Sequence, residues 1–589
     1  MRIYKAPLDD IRFIFETLDY EGRVASLADF ADFDLETVMG MAKEMGRFGT
    51  RDALPLSKTA DKQGTRWNPE TFAVTTADGF PGLLKKFRDS GFAGISQPTE
   101  WGGQGGPTSL GLILGEISTA TNKSFSMCPG LTNGLIDALK AWGTDEQKAY
   151  YLPKLVTAEW SGTMCLTEPQ CGTDLGLITT KAEPAADGNG YLLTGTKIWI
   201  TYGDHDLTEN IIHLVLARLP DAAPGIKGIS TFVVPKFLDD GTRNPIFCAG
   251  IEHKLGIHAS PTCVMSLEGA RGFLVGEPGK GMRAMFTMMN HARLTVAQEG
   301  VSYGDIAYQT ALAFAKDRRQ SRSLDPKKQE EGQTADTILV HPDVRRMLLN
   351  VKASNEAMRA LIFYISMHID VSHHHPDEAV RMRSDDIVAL LTPVAKGWIT
   401  ERGFANVSEA MQVMGGAGYT QDWSVEQYLR DSRIGMIYEG TNGIQALDLV
   451  GRKLPMGGGR LVKTFSAEVA DFVKQQAENT ALAEFITPLK DASKELSALT
   501  MTLAMKGMAD PEEAGAMASN YLKVFGLVTG AYLWARMAAH ALTRDDKLAR
   551  TKLKTARYYF QHVLPETKAL SVLIARGKQD MMAFEVDEF

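Results

Sequence analysis

Tyr438-Glu439-Gly440-Thr441 places one carboxylate directly after the apolar run Ile434-Gly435-Met436-Ile437. An acid among apolar and small residues either has a partner or has a task. Burial disfavours its charged form and moves its pKa toward neutral pH, which suits a general base. The competing reading is a structural Glu at a helix N-terminus beside a Gly turn. A second candidate is the segment 164–174, MCLTEPQCGTD. Its hydroxyls at Thr167 and Thr173 and its backbone N–H groups can donate to an electron-rich ring, while Glu168 and Asp174 add charge. Taken alone, the segment is only a turn. Trp199-Ile200-Thr201 follows, although a Trp on a strand most often packs in a core.

Two further features invite metal or phosphate chemistry. His373-His374-His375 stands before Pro376, but adjacent residues do not converge on one ion without a special backbone, so it reads as a loop. Arg544, Lys547, Arg550, Lys554 and Arg557 recur at spacings of three and four, giving one basic helix face. Such a stripe is ordinarily a solvated or intersubunit face; the alternatives are a ligand's phosphates or a nucleic acid. The net charge of −8 argues against general nucleic-acid binding.

The elements that must position these groups follow from period and punctuation. A chain of 589 residues needs several cores. Leu8, Ile11, Phe15 and Leu18 recur at helical spacing behind Pro7, and residues 1–160 read as helical. Residues 161–280 change period. Tyr191–Thr201, His213–Leu219, Ile229–Pro235, Thr262–Leu267 and Gly272–Val275 are short, β-branched and aromatic, which predicts a small barrel or sandwich. The helical period returns over 281–453, interrupted by the polar segment Ser321–Thr337, read as a solvated insertion without chemistry. Residues 454–460, LPMGGGR, read as a linker before a further helical region over 461–589. Within that region Asp510-Pro511-Glu512-Glu513 marks a helix start. The order of helices, strands, helices and helical extension makes an α+β fold.

Five cysteines with no CxxC pair fit a reducing cytoplasm and give no zinc site. The N-terminus is too acidic for a signal peptide, and the apolar stretch near Val524–Trp534 is too short to span a bilayer.

The motifs, taken together and in order, resemble the acyl-CoA dehydrogenase family. The carriers are GISQPTEWGG at 94–103, MCLTEPQCGTD at 164–174, KIWIT at 197–201, Arg318 in AKDRRQS, QVMGGAGY at 412–419, Arg430-Asp431, and YEGTNGIQ at 438–445. The resemblance implies an N-terminal helical domain, a β domain, a C-terminal four-helix bundle and an added helical extension. It implies FAD as cofactor and an acyl-CoA thioester as substrate. Glu439 matches the base that removes the α-proton, its backbone N–H polarises the thioester, and Gly440 leaves room for it. Met164, Leu166, Thr167, Gly172, Trp199, Ile200 and Thr201 match flavin positions, and Thr173 matches one near both flavin and substrate. Arg318 matches a cation from a second subunit that faces the pyrophosphate. Gln412, Gly415, Gly416, Thr441 and Gly443 match further FAD contacts. Asn290 and Arg293 match substrate-side positions.

Some family members carry the base beside Arg293 instead. Here that position is Ala292, and Glu299 farther along reads as a solvated or paired helix residue. Departures are Gln320-Ser321 after the Arg, Gly443 where Gln is common, and Met164 where an aromatic is common.

Within the family, YKAPLDDIRFIFETLDY at 4–20 and the long tail resemble a bacterial branch with an extra N-terminal helix. That resemblance implies oxidation of 3-methylthiopropionyl-CoA to 3-methylthioacryloyl-CoA in dimethylsulfoniopropionate demethylation. Ordinary fatty acyl chains are the alternative. Electron-transfer flavoprotein is implied as acceptor and a homodimer as assembly, with an oxidase and a DNA-binding relative as rival readings.

Overall fold

The short β-branched segments come together in one sheet. In the computed structural model, which describes residues 3–589, β1 (Arg66–Trp67) and β2 (Val74–Thr75) pair as a small separate ribbon. Met1 and Arg2, part of the stretch read against a signal peptide, lie outside the described residues. The main sheet contains β3 (Trp160–Cys165), β4 (Lys181–Pro184), β5 (Tyr191–Thr201), β6 (Asn210–Arg218), β7 (Ile229–Pro235), β8 (Ile246–Ile251) and β9 (Thr262–Val275). Its order is β3-β6-β4-β5-β9-β7; β7 pairs back on β6 and closes a barrel, while β8 pairs with β9.

Period-two alternation explains why β6 and β7 are buried on both faces. Val215, Ala217, Phe232 and Val234 point into the barrel with Leu193, Ile246 and Met265. Ile212, Leu214, Leu216 and Val233 point the other way, against Leu135, Leu139, Leu152, Leu155, Met285 and Met288 from helices. The two segments expected at 262–267 and 272–275 are one strand. Gly269, at φ +80°, bulges out between Glu268 and Ala270, where the register with β5 shifts.

The chain divides into two compact units. One comprises Glu44–Gly106 and Ile117–Thr295 and holds the barrel. The other comprises the residues up to Lys43, Pro107–Glu116 and Val296–Phe589, and is helical. In the helical unit Pro342–His374 and Glu378–Met414 are joined by a three-residue turn, and Pro511–Leu542 packs on both. His373 and His374 end the first of these helices, and His374 Nδ1 lies 2.6 Å from Asp29. Among the described residues no cluster of three metal-ligating side chains occurs, and no helix is long and apolar enough to cross a membrane. The 454–460 linker turns through Gly457, Gly458 and Gly459 at φ of 59°, 67° and 83°, a run that side-chain-bearing residues adopt only at a cost.

A buried ion network joins both terminal additions to the helical unit. Arg359, 2% exposed, donates to Glu116 at 2.7 and 2.8 Å and to Asp10 at 2.6 Å, and lies 3.0 Å from Asp305. Asp10 sits in the Leu8–Thr17 helix. It also accepts from Lys552 of the Lys547–Tyr558 helix, which donates to Glu356 at 2.8 Å. Burial opposes the Arg359 charge, but Glu116 and Asp305 more than offset this and raise its pKa.

The basic stripe is partly neutralised: three of its five cations are paired, while Lys547 and Lys554 are exposed. Arg544 pairs with Glu16 at 2.5 Å, Arg550 with Asp545 at 2.6 Å, and Arg557 with Glu484 at 2.8 Å. Cations already paired have little left to neutralise nucleic-acid phosphates.

Removing one member of a buried ion cluster strands the others. Arg359→Ala is expected to lower stability by about 3–5 kcal/mol. Arg550→Ala, at an exposed pair, should change it by less than about 1 kcal/mol. Urea unfolding of the two variants beside the parent measures both.

Candidate functional site

In the barrel unit, one buried ion pair organises the segment expected to face a ring. Glu168, 2% exposed, accepts from Lys197 Nζ at 2.8 Å, from the Thr180 hydroxyl and N–H at 2.6 and 3.1 Å, from the Thr179 hydroxyl and N–H at 2.9 and 2.7 Å, and from Gln170 at 2.6 Å. Burial alone would raise its pKa; Lys197 and these donors instead hold it at about 2. Lys197, wholly buried on β5, also donates to the Leu166 carbonyl at 3.0 Å. The Ile198 N–H donates to the Thr167 carbonyl at 2.9 Å.

The segment after β3 is thereby tied to a bulge in β5, where the register with β9 shifts between Lys197 and Ile200. At that bulge Trp199 adopts φ +60° and stands 60% exposed. A left-handed backbone at a bulky residue is uncommon, and so is an exposed indole. Thr167 and Met164 are half-buried beside this platform, and Gly172 and Thr173 are exposed in the following loop. Leu166 and Ile200 are different. Their side chains are buried in core clusters, so only their backbone can meet a ligand. In the same unit Arg293 is buried and donates to Asn290 Oδ1 at 3.4 Å.

In the helical unit, Glu439 sits on a turn between the helical turn Arg433–Met436 and the helix Asn442–Asp448. Glu439 and Gly440 both have positive φ, 56° and 81°. The backbone favours Gly at 440, and a Cβ there would lie 2.7 Å from Gln445 Nε2 and displace that amide. Gln445 Nε2 donates to the Glu439 carbonyl at 3.0 Å. Lys396 Nζ donates to the Gly440 carbonyl at 2.6 Å and to Asn442 Oδ1 at 3.1 Å. Asn442 in turn donates to the Gly397 carbonyl at 3.0 Å.

On the other flank, the Tyr438 hydroxyl donates to both oxygens of Glu299, at 2.7 and 2.6 Å. Glu299 is 3% exposed, so it is the paired rather than the solvated residue of the two alternatives. Burial and this carboxylate raise the Tyr438 pKa well above its ordinary value. Thr441 caps the following helix, its hydroxyl accepting from the Ile444 N–H at 3.3 Å, and Gly443 is exposed.

Four more expected residues lie in this unit. Arg318 is exposed, and its guanidinium has no partner among the described residues. The polar segment after it is ordered rather than loosely solvated. Buried Asp336 accepts from the N–H groups of Ser323 and Glu330 at 2.6 and 2.7 Å, and the Arg318 carbonyl accepts from Ile338 at 2.8 Å. Gly415, at φ 56°, and Gly416 end the Glu378–Met414 helix, and a Cβ on either would project into open space. Gln412 is exposed in the last turn of that helix.

Comparison with known proteins decides what these sets belong to. Models of the acyl-CoA dehydrogenase N-terminal, middle and C-terminal domains match residues 38–159, 163–270 and 279–454. An acetyl-CoA dehydrogenase C-terminal-like model matches 465–585. The chain is 42% identical to a 3-methylmercaptopropionyl-CoA dehydrogenase of Ruegeria pomeroyi, over 96% of this chain and 97% of that one. It is 32% identical to a broad-specificity linear acyl-CoA dehydrogenase of Mycobacterium tuberculosis, over 98% of each. The chain belongs to the acyl-CoA dehydrogenase family. The fold agrees: a Caenorhabditis elegans ACDH-11 structure in complex with C11-CoA matches with a TM-score of 0.80 at 18% identity, covering 95% of this chain and 91% of that one. A Bacillus anthracis acyl-CoA dehydrogenase complexed with FAD matches at 0.75 and 22%, covering 99% and 93%.

As an acyl-CoA dehydrogenase the chain is an oxidoreductase that uses FAD. The residues present fit that group. An exposed indole on a pinned bulge suits a ring, the open faces of Gly415 and Gly416 admit close backbone approach, and exposed Arg318 suits a pyrophosphate. Lys197, Lys396 and Gln445 were not recognised from sequence, because their partners are main-chain carbonyls or distant in the chain. Lys197 opens KIWIT and Gln445 closes YEGTNGIQ, so motif position was the available signal for those two, whereas Lys396 lies in no motif.

Glu168 gives this dehydrogenase a pH signature. Its folded pKa lies below its ordinary 4.5, so its stabilisation is full above about 4.5 and is lost as the pH falls toward about 2. Glu168→Gln is expected to flatten the acid limb of the melting-temperature curve across that window, and to lower the FAD retained after gel filtration. Thermal melts and the flavin-to-protein absorbance ratio report the two effects.

Proposed function

We propose that this chain dehydrogenates 3-methylthiopropionyl-CoA to 3-methylthioacryloyl-CoA, with Glu439 as the α-proton base. The observation that carries the base assignment is the turn itself: Glu439 is held left-handed and its neighbours are anchored on both sides. Such backbone strain persists only where the surroundings impose it, and it concentrates at functional positions. Support for the acyl group is the 42% identity to a 3-methylmercaptopropionyl-CoA dehydrogenase along almost the whole length of both chains.

In the reaction, Glu439 takes the proton from the α-carbon of the thioester, whose C–H electrons form the new Cα=Cβ bond. The hydrogen on the β-carbon departs as hydride. Bound FAD supplies the two-electron acceptor for it. The backbone N–H of Glu439 polarises the thioester carbonyl, which is what makes the α-proton acidic. Met164, Thr167, Thr173, Trp199 and Thr201, with the backbone of Leu166, Gly172 and Ile200, would hold the ring. Arg318, Gln412, Gly415, Gly416, Thr441 and Gly443 would hold the rest of the dinucleotide. Asn290 and Arg293 belong to the substrate side. The working domains are residues 1–160, 161–280, 281–453 and 461–589. Electron-transfer flavoprotein is the acceptor, and the assembly is a cytoplasmic homodimer in which Arg318 serves the partner's flavin.

Loss of a general base costs roughly 10²–10⁴-fold in rate. Glu439→Gln is expected to fold and stay yellow while its anaerobic bleaching by substrate slows by that factor; bleaching at the parent rate would refute the base assignment. The substrate is tested separately. Anaerobic bleaching across saturated C4–C8 acyl-CoAs and 3-methylthiopropionyl-CoA should be fastest with the thioether. Equal rates with the ordinary chains would remove the narrow assignment and leave the reaction.

A further inference from the structure

We infer that Lys396 is a positioning residue for the base: its buried ammonium fixes the Gly440 carbonyl and so sets the direction in which Glu439 points. The inference rests on the reading of Glu439 as the base.

Lys396 lies in the middle of the Glu378–Met414 helix and is 0% exposed. Taking an ammonium wholly out of water is costly, so its position calls for an explanation. Its two hydrogen bonds on the turn go to the Gly440 carbonyl, at 2.6 Å, and to Asn442 Oδ1, at 3.1 Å. These acceptors are on the peptide unit after Gly440 and on the first residue of the next helix.

The same helix face supplies two more contacts to Asn442. The Thr400 hydroxyl donates to Asn442 Oδ1 at 3.2 Å, and the Gly397 carbonyl accepts from Asn442 Nδ2 at 3.0 Å. Positions 396, 397 and 400 fall on one side of a helix. That side is therefore a rigid template for the turn.

The conformation held is one the chain would leave if released. Left-handed backbone is disfavoured at a residue that carries a side chain. Glu439 has it, with Gly440 following in the same region. Rotation about ψ of Glu439 or φ of Gly440 would swing the Gly440 carbonyl away from Lys396 and move the Glu439 side chain with it. A charge-assisted hydrogen bond to that carbonyl is stronger than a neutral one and opposes this rotation. Gln445, which donates to the same carbonyl at 3.3 Å and to the Glu439 carbonyl at 3.0 Å, is a neutral second hold. A displacement of a reacting group by about 1 Å costs on the order of a hundredfold in rate.

The test uses FAD-loaded enzyme and four variants: two at Lys396, Glu439→Gln, and a double. Lys396→Met keeps the volume and removes the donor; Lys396→Gln keeps a donor on a shorter, neutral chain. Lys396→Met is expected to reduce its flavin on the order of a hundredfold more slowly under anaerobic single turnover, and Lys396→Gln roughly tenfold. KM and FAD content should stay at parent values, because neither depends on where the base points. In the double variant Lys396→Met/Glu439→Gln, the added substitution should cause no further loss beyond Glu439→Gln alone, since Lys396 acts through Glu439. A merely structural lysine would give an additive loss, or a loss of FAD. Parent-rate reduction in either single variant, or additivity in the double, overturns the inference. Should Lys396→Met fail to fold, Lys396→Gln decides it. If Glu439→Gln itself bleaches at the parent rate, the base assignment fails, whatever Lys396 does.

Discussion

A left-handed backbone at a residue that carries a side chain must be imposed from outside, and the enzyme imposes it twice by the same means. Trp199 at φ +60° and Glu439 at φ +56° each stand near a fully buried lysine. Lys197 donates to the Leu166 carbonyl at 3.0 Å, and Lys396 to the Gly440 carbonyl at 2.6 Å. An ammonium suits this task. It offers three donors on a long stem, so it can reach a main-chain oxygen from another element. Its charge strengthens the bond where water is absent. The cost is desolvation, which hydrogen-bonded partners at each site offset. Lys197 has a carboxylate, Glu168, within 2.8 Å. Lys396 meets the oriented dipoles of a peptide carbonyl and an amide oxygen.

The same accounting explains why the chain can carry extra helices at both ends. Those additions are joined to the helical unit by charges as well as by apolar faces. Asp10 receives both Arg359 and Lys552, so the leading helix and the extension share one carboxylate. Buried ion clusters give little net stability, because each member must be desolvated. Their effect is on specificity: a displaced helix would strand a charge. That makes register the property most dependent on Arg359.

The sequence made β5 and β7 legible to the residue, because both are β-branched and aromatic runs bounded by turn residues. It missed β3, β4 and β8. β3 is broken by Ser and Gly and β8 by Cys, Ala and Gly, so neither is a β-branched run, and β4 is four residues ending in Pro. What holds them is partner strands, which no local pattern reports. It split β9 at Gly269, where a bulge looks in sequence like a turn. The motif residues were legible through resemblance; their supports were not. Ile200 and Leu166 show the limit of motif reasoning, since adjacency to a platform residue does not place a side chain on the platform. The Asp336 loop shows another: its polar composition reads as solvated, yet one buried carboxylate organises its backbone.

The two acids nearest the turn differ in what surrounds them, and this bears on which can act as a base. Glu299 is 3% exposed, and the Tyr438 hydroxyl donates to both its oxygens. Moving Glu299 to a substrate would leave a phenol hydroxyl buried without that acceptor, at a cost of about 1–3 kcal/mol. Glu299 is thereby committed to Tyr438, and through it to the N-terminal side of the turn. Lys396 holds the C-terminal side. The residue between these two anchors, half-buried and held in a conformation that its type disfavours, is Glu439.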